Sequence, residues 1–150
     1  MTNYREKLWP APWIYISSAL VIPASLLVLF PVNITAGIFT AIALYAGIVI
    51  TLIATSPVIQ VTETHFLAGK ARLPLEFAGE AFAFTGEEAK LERGQRLDAR
   101  AWLLIRGWIS PVVKVEIRDE KDPTPYWIIS TRDPDAVVAA LNAAREAATR

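Results

Sequence analysis

The chain has no cysteine and one histidine, His65. Without thiols, disulfide staples, thiolate metal sites and cysteine nucleophiles are excluded. A lone imidazole has no second histidine with which to share a metal, and His65 falls in a turn, so it reads as a surface residue. Ser130 and Thr131 have no nucleophile-elbow sequence around them. No glycine cluster leads into the Lys-Ser or Lys-Thr of a phosphate loop. Excess positive charge is missing too: 15 Lys and Arg balance 15 Asp and Glu. The footprint of a nucleic-acid binder is therefore absent, and so is a long polybasic run for anionic lipid.

The most informative absence is local. Between Lys7 and Glu63 there is no Asp, Glu, Lys, Arg or His. A soluble surface places a charge about every fourth residue, so this interval is not a soluble pattern. It contains two apolar runs. Residues 13–30, "WIYISSALVIPASLLVLF", span about 27 Å as a helix, close to a hydrocarbon core. Residues 32–55 are longer still. Pro31 and Asn33 mark a tight turn between them, which predicts a transmembrane helical hairpin at 13–56. A cleaved signal peptide fits poorly, because no small-x-small site follows before the second run begins. Pro23 predicts a mild kink in the first span.

Lys and Arg set the orientation. Arg5 and Lys7 precede the hairpin, Lys70 and Arg72 follow it, and the turn has none. The expectation is an inner-membrane protein with both termini cytoplasmic and residues 1–12 as an N-terminal tail. Trp9, Trp13 and Tyr15 sit where an interfacial aromatic belt belongs. On the second span, Gly37 with Ala41 and Ala43 with Gly47 are small pairs four apart, a spacing that lets helices approach closely. They suit packing within the hairpin or an interface with a second copy or another membrane protein.

Beyond Pro57 the pattern predicts a small α+β domain at 57–150. Short β-like runs appear at Val58–Thr62, Phe66–Ala68, Lys70–Leu73 and Glu76–Phe84. Residues 87–98 are polar and read as a loop or a helical turn. Ala101–Arg106 and Val112–Asp119 read as strands joined through Gly107–Pro111 as a hairpin, the second with clean alternation. The stretch "DPTPYWIISTRDP" (122–134) packs two Asp-Pro pairs and two aromatics together. It divides into a loop with two ladder-breaking prolines, a strand at Tyr126–Thr131, and a helix start with Asp133 as N-cap and Pro134 in the first turn. The helix is predicted over 134–148, with Val137, Val138, Leu141 and Ala144 on one face and Arg145 and Arg150 at its end.

Antiparallel strands closed by one C-terminal helix are the plan of a pleckstrin-homology-like (PH-like) domain. The segment "VTETHFLAGKARLPLEFAGEAFAF" resembles the start of bacterial PH-like domains that follow transmembrane helices. Across nearly the whole chain, "YREKLWP", "RG…DARAWLLIRGW" (93–108) and "DPTPYWIISTRDP" resemble a family of small actinobacterial membrane proteins with no assigned function. That resemblance implies location and architecture. It implies no activity, cofactor or catalytic residue.

The best polar constellation is Arg93, Asp98, Arg100 and Arg106. Guanidinium groups near one carboxylate suit a bidentate phosphate or carboxylate ligand, or a structural ion pair. An even separation places Arg100 and Arg106 on one face of a predicted strand. Trp102 and Trp108 are candidate anchors of a docking surface. No cofactor and no metal is expected. The expectation is a non-catalytic, membrane-anchored interaction module that docks a partner membrane protein or a second copy. The alternative is a ligand-sensing or catalytic domain that holds an anionic metabolite or lipid headgroup on the arginines.

Overall fold

A computed structural model of the protein describes residues 2–148 and resolves them into two compact units. One unit is Trp9–Ser56. The other joins Met1–Leu8 to Pro57–Arg150, so the apolar segment interrupts a domain that begins before it. Arg150, expected at the helix end, lies outside the described residues.

The apolar unit contains α1 (Pro12–Ser18), α2 (Val21–Leu29) and α3 (Ile34–Ala54). Pro12–Leu29 and Ile34–Ala54 are each long and apolar enough to cross a membrane. Only 6% and 11% of their residues are buried within the chain. Core helices of a soluble protein would be mostly buried. The apolar side chains instead face outward, as lipid requires. Asn33 caps α3 by accepting from the Ala36 N–H at 3.2 Å. The expected mild kink is a break at Ala19–Leu20. Pro23 has no N–H to offer the Ala19 carbonyl, and that carbonyl accepts from Ile22 N–H at 3.0 Å instead. The turn tightens and the helix divides there.

In the second unit, two four-stranded sheets pack around one core. The first has the order β1 (Thr2–Lys7), β2 (Val58–Thr62), β3 (His65–Ala68), β4 (Ala71–Pro74), all antiparallel. The expected tail at 1–12 is therefore half strand. β1 pairs with β2 from Thr2↔Thr62 to Lys7↔Val58, and Leu8 N–H continues the join to Pro57 O at 2.9 Å. Tyr4 and Leu8 turn to the core, and Leu8 is fully buried. The alternation in "YREKL" is too short to read as a strand beside a proline. Gly69, at φ +61°, opens the two-residue turn from β3 to β4, a position that a side chain would strain.

A 3-10 turn, Leu75–Phe77, leads into the second sheet. Its order is β5 (Ala78–Phe84), β7 (Val112–Ile117), β8 (Tyr126–Ser130), β6 (Trp102–Leu104). The hairpin expected between 101–106 and 112–119 does not form. β6 runs parallel to β8, while β7 lies between β5 and β8. Residues 105–111 carry the chain past β8 before it turns back. Residues 87–98 include a true helix, α4 (Gly86–Arg93). Glu87 and Glu88 in its first turn and Lys90 and Arg93 in its last complement the helix dipole.

The 122–134 stretch is loop, strand and cap. Asp122 accepts from Thr124 N–H at 2.9 Å, which closes the loop. β8 is buried at all five positions because it is central in its sheet and covered on both faces. Asp133 accepts from Ala136 N–H at 3.0 Å and starts α5 (Pro134–Ala148). Val137, Leu141 and Ala144 of α5 pack with Phe66, Val113, Val115, Trp127 and Ile129 to form the main core. On the far face of the second sheet, Ala89 of α4 packs on Val112, Tyr126 and Ile128.

One carboxylate ties the chain's beginning to its end. Glu6 accepts from the buried Thr131 hydroxyl, from Arg132 N–H at 3.0 Å and from the Tyr4 hydroxyl at 3.1 Å. Burial, with the Glu6 charge adding to it, pushes the Tyr4 phenol up to about 12, although its contact with Thr131 acts the other way. Glu6→Ala should cost about 1–3 kcal/mol in a denaturant melt, because Thr131 keeps its burial and loses its acceptor. Since the Tyr4 pKa is raised on folding, its contribution is complete below pH 10 and is lost as pH rises through about 12. Tyr4→Phe should be less sensitive than the parent over that window, read as melting temperature against pH.

Candidate functional site

The residues singled out from the sequence do not converge. Asp98 and Arg100 pair with each other. Asp98 Oδ1 accepts from Arg100 N–H at 2.9 Å and Nε at 3.1 Å, and Oδ2 accepts from a terminal guanidinium nitrogen at 2.9 Å. These bonds to Arg100 hold the Asp98 carboxyl down at about 2. The backbone bond from residue i to i+2 makes this an Asx turn, which keeps Arg100 off the strand. Arg93 turns back along its own helix and donates to Ala89 O at 3.2 Å. Arg106 donates through its guanidinium to Ile105 O at 3.2 Å. β6 is only Trp102–Leu104, so Arg100 and Arg106 flank it at opposite ends. The shared strand face expected for them is not there, because the Asx turn and the turn at Arg106–Ile109 leave only three residues extended.

The tryptophans are also accounted for. Trp102 lies 4.4 Å from Trp127, ring centre to ring centre, and packs against the main core. Trp108 packs on the same core, and its buried Nε1–H has no partner among the described residues. His65 Nδ1 lies 2.8 Å from the Thr64 hydroxyl. Ser130 accepts from Arg106 N–H at 3.0 Å and donates to Ile109 O at 3.4 Å, which ties the 105–111 crossover to β8. Among the described residues, no three His, Cys, Asp or Glu side chains gather as a metal site would need.

The polar centre that sequence reasoning missed lies under α4. Glu92 is buried and accepts from Lys114 Nζ at 3.0 Å and from Arg96 at 3.3 Å. Arg96 also binds Glu88 at 2.7 Å. Lys114 Nζ sits 4.3 Å over the Tyr126 ring, and the Tyr126 hydroxyl accepts from Asp98 N–H at 2.7 Å. The network thus runs from α4 through β7 and β8 to the Asp98–Arg100 loop. Its sequence signal is the three-residue step from Ala89 to Glu92, visible only once 86–93 is read as helix. Chemically it is a clamp: two cations hold one carboxylate in place, and the Tyr126 ring lies against one of the cations. Breaking a buried pair leaves an uncompensated charge, whereas an exposed pair contributes little. Glu92→Ala should therefore cost about 3–5 kcal/mol in urea unfolding. Asp98→Ala, in an exposed pair, should cost far less than Glu92→Ala in the same measurement.

The two small-residue pairs of α3 face different surroundings. Gly37 and Ala41 are buried, and a Cβ on Gly37 would sit 3.4 Å from Leu29 Cβ. A Cβ on Gly47 would meet nothing within 4 Å. With Ala43, Leu44, Ile48, Thr51 and Leu52, Gly47 lines a shallow apolar groove of about 430 Å³. So the first pair is the contact of α3 with α2, and the second faces away from it. Gly37→Leu should weaken hairpin formation, and Gly47→Leu should not, when single-chain folding is measured by protease resistance in dilute detergent.

A family model described as a protein of unknown function, DUF3093, matches residues 3–141. No curated protein and no solved structure matches the chain.

Proposed function

The chain belongs to the DUF3093 family of proteins of unknown function, and we propose that it is a membrane-anchored, non-catalytic interaction module that docks a partner membrane protein as an accessory or regulatory subunit. The observation that carries this reading is the edge strand β6. It ends the second sheet, with β8 on one side and no strand on the other among the described residues. Leu103 at its middle is 42% exposed, and Arg100 and Arg106 flank it. An open edge with one apolar side chain between two cations suits strand addition by an acidic or polar partner segment. Trp102 and Trp108 serve this surface from beneath, as core supports, and Leu103 takes the place of apolar anchor.

The PH-like plan has support from the order of elements. With α4 and β6 set aside, β1–β4 and β5–β7–β8 are two antiparallel meanders closed by α5. An inner-membrane location with both termini cytoplasmic follows from the Lys and Arg rule. The β1–β2 ladder, which pairs residues before the hairpin with residues after it, supports placing both on one side. The alternative, an anionic metabolite held on Arg93, Arg100 and Arg106, has less support, since each guanidinium already has its own acceptor.

A photo-crosslinking residue at position 103, in the full chain in native membranes, tests the docking edge. The expected result is one discrete adduct that Arg100→Glu diminishes and that the same probe at Asn142, exposed on α5, does not give. Adducts no stronger at 103 than at 142 would remove this surface from consideration.

A further inference from the structure

The outward face of the first sheet is positively charged in a way that no stretch of sequence displays. Along each strand, alternate residues turn to the core: Tyr4 and Leu8, Ile59 and Val61, Phe66 and Ala68, Leu73. The intervening ones face out. The register then lines up Arg5↔Gln60, Gln60↔Leu67 and Leu67↔Arg72 as one row across four strands. At about 4.8 Å per strand, its two guanidinium-bearing positions lie about 14 Å apart. Beside it runs a second row, Lys7↔Val58, continued by the Gly69–Lys70 turn through the bond from Gly69 N–H to Val58 O. Four cations therefore share this face. Among the described strand residues that face out none is acidic: Glu6, the one acid in β1, turns the other way to Thr131, and Glu63 lies in the β2–β3 turn at the end of the sheet opposite Lys70. Arg5, Lys70 and Arg72 are exposed, and among the described residues none of them has a carboxylate within ion-pair distance.

The face is also shaped. Val58, Gln60, Leu67, Gly69, Lys70 and Arg72 line a cleft of about 480 Å³ between the two cationic ends. A guanidinium, an ammonium and a carboxamide around an apolar floor suit a phosphate carried on a glycerol or acyl-linked body better than a bare ion. Chain connection argues for where such a phosphate comes from. Four residues separate Lys7 from Pro12 at the start of α1, and three separate Ala54 at the end of α3 from Val58. Fully extended, these connections reach at most about 18 Å. A sheet joined by so little chain to membrane-spanning helices is exposed to the field of anionic lipids, which falls off over about 8–10 Å at ordinary salt.

We infer that the outer face of β1–β4 binds the phosphate headgroups of anionic lipid in the bilayer that holds the hairpin, with Arg5 and Arg72 as the outer contacts and Lys70 and Gln60 lining the cleft between them. This surface lies on the first sheet and is independent of the docking edge on the second.

Because the chain has no cysteine, single labels are clean. The full-length protein carrying Leu67→Cys with a fluorescent label is placed in phosphatidylcholine vesicles, with or without phosphatidylglycerol. A water-soluble quencher then reports access to the face, with Asn142→Cys on α5 as the reference. The expected result is protection at position 67 only in the anionic vesicles. It should be lost at about 1 M salt, where the screening length falls to about 3 Å. Arg5→Gln and Arg72→Gln should each lower the ratio of protected to open label about fivefold, with melting temperatures unchanged. Equal quenching in both vesicle types would overturn the inference. So would protection in neutral vesicles on adding glycerol phosphate, which would make the ligand a soluble anion instead of the membrane. Retained protection in the Arg5→Gln, Arg72→Gln double variant would do the same.

Discussion

The ladder between β1 and β2 is the constraint on which the rest depends. It closes across a gap of some fifty apolar residues, with Lys7 opposite Val58 and Leu8 bonded to Pro57. A strand pair of this length would be weak alone. It persists because Leu8 is fully buried in the core and because Glu6 clips β1 to Thr131 and Arg132 at the start of α5. The hairpin is thus an insertion in a domain, and both of its ends leave from neighbouring strands. The connectivity brings residues from before and after both apolar helices onto one ladder. It also orders events during folding: β1 has no strand partner until both apolar runs have been made, and Glu6 lacks its Thr131 and Arg132 donors until residues 131–132 exist. Contacts this distant in sequence are entropically costly to close, so the domain completes late.

The same clip gives the 122–134 stretch its meaning. Its conspicuous residues suggest chemistry, yet each is occupied structurally. Ser130 ties down the crossover, Thr131 holds Glu6, Asp133 caps α5, and Trp127 joins the rings of Trp102 and Phe66. A central strand buried on both faces must satisfy every polar group it carries, and these do. The density of unusual residues there reflects how many elements meet at β8.

The sequence showed the hairpin, the C-terminal helix, its cap and most of the strands, because each writes its signal locally. A charge gap, an alternation and an Asp-Pro helix start are all visible within a dozen residues. What escaped is non-local. β1 resembles a tail until its partner is known fifty residues on. β6 and β7 look like a hairpin because they are neighbours in sequence, but the 105–111 segment passes β8 and leaves β6 parallel to it. The arginine constellation failed for the same reason. Arg93, Arg100 and Arg106 are close in sequence, and an Asx turn, a helix and a three-residue strand send them apart. Glu92 and Lys114, far apart in sequence, form the buried pair instead.

Charge therefore has to be read by register and not by run. No segment of this chain is polybasic, and its net charge is zero. Yet strand pairing brings Arg5 and Lys7 from before the hairpin onto one sheet face with Lys70 and Arg72 from after it. Of the acids near them in sequence, Glu6 turns to Thr131, and Glu63 and Glu76 line the cleft by His65. A period of two is enough to sort the signs, since neighbouring residues on a strand face opposite ways. The four Lys and Arg residues that flank the apolar segment most closely in sequence are the same four that the ladder arranges into one surface.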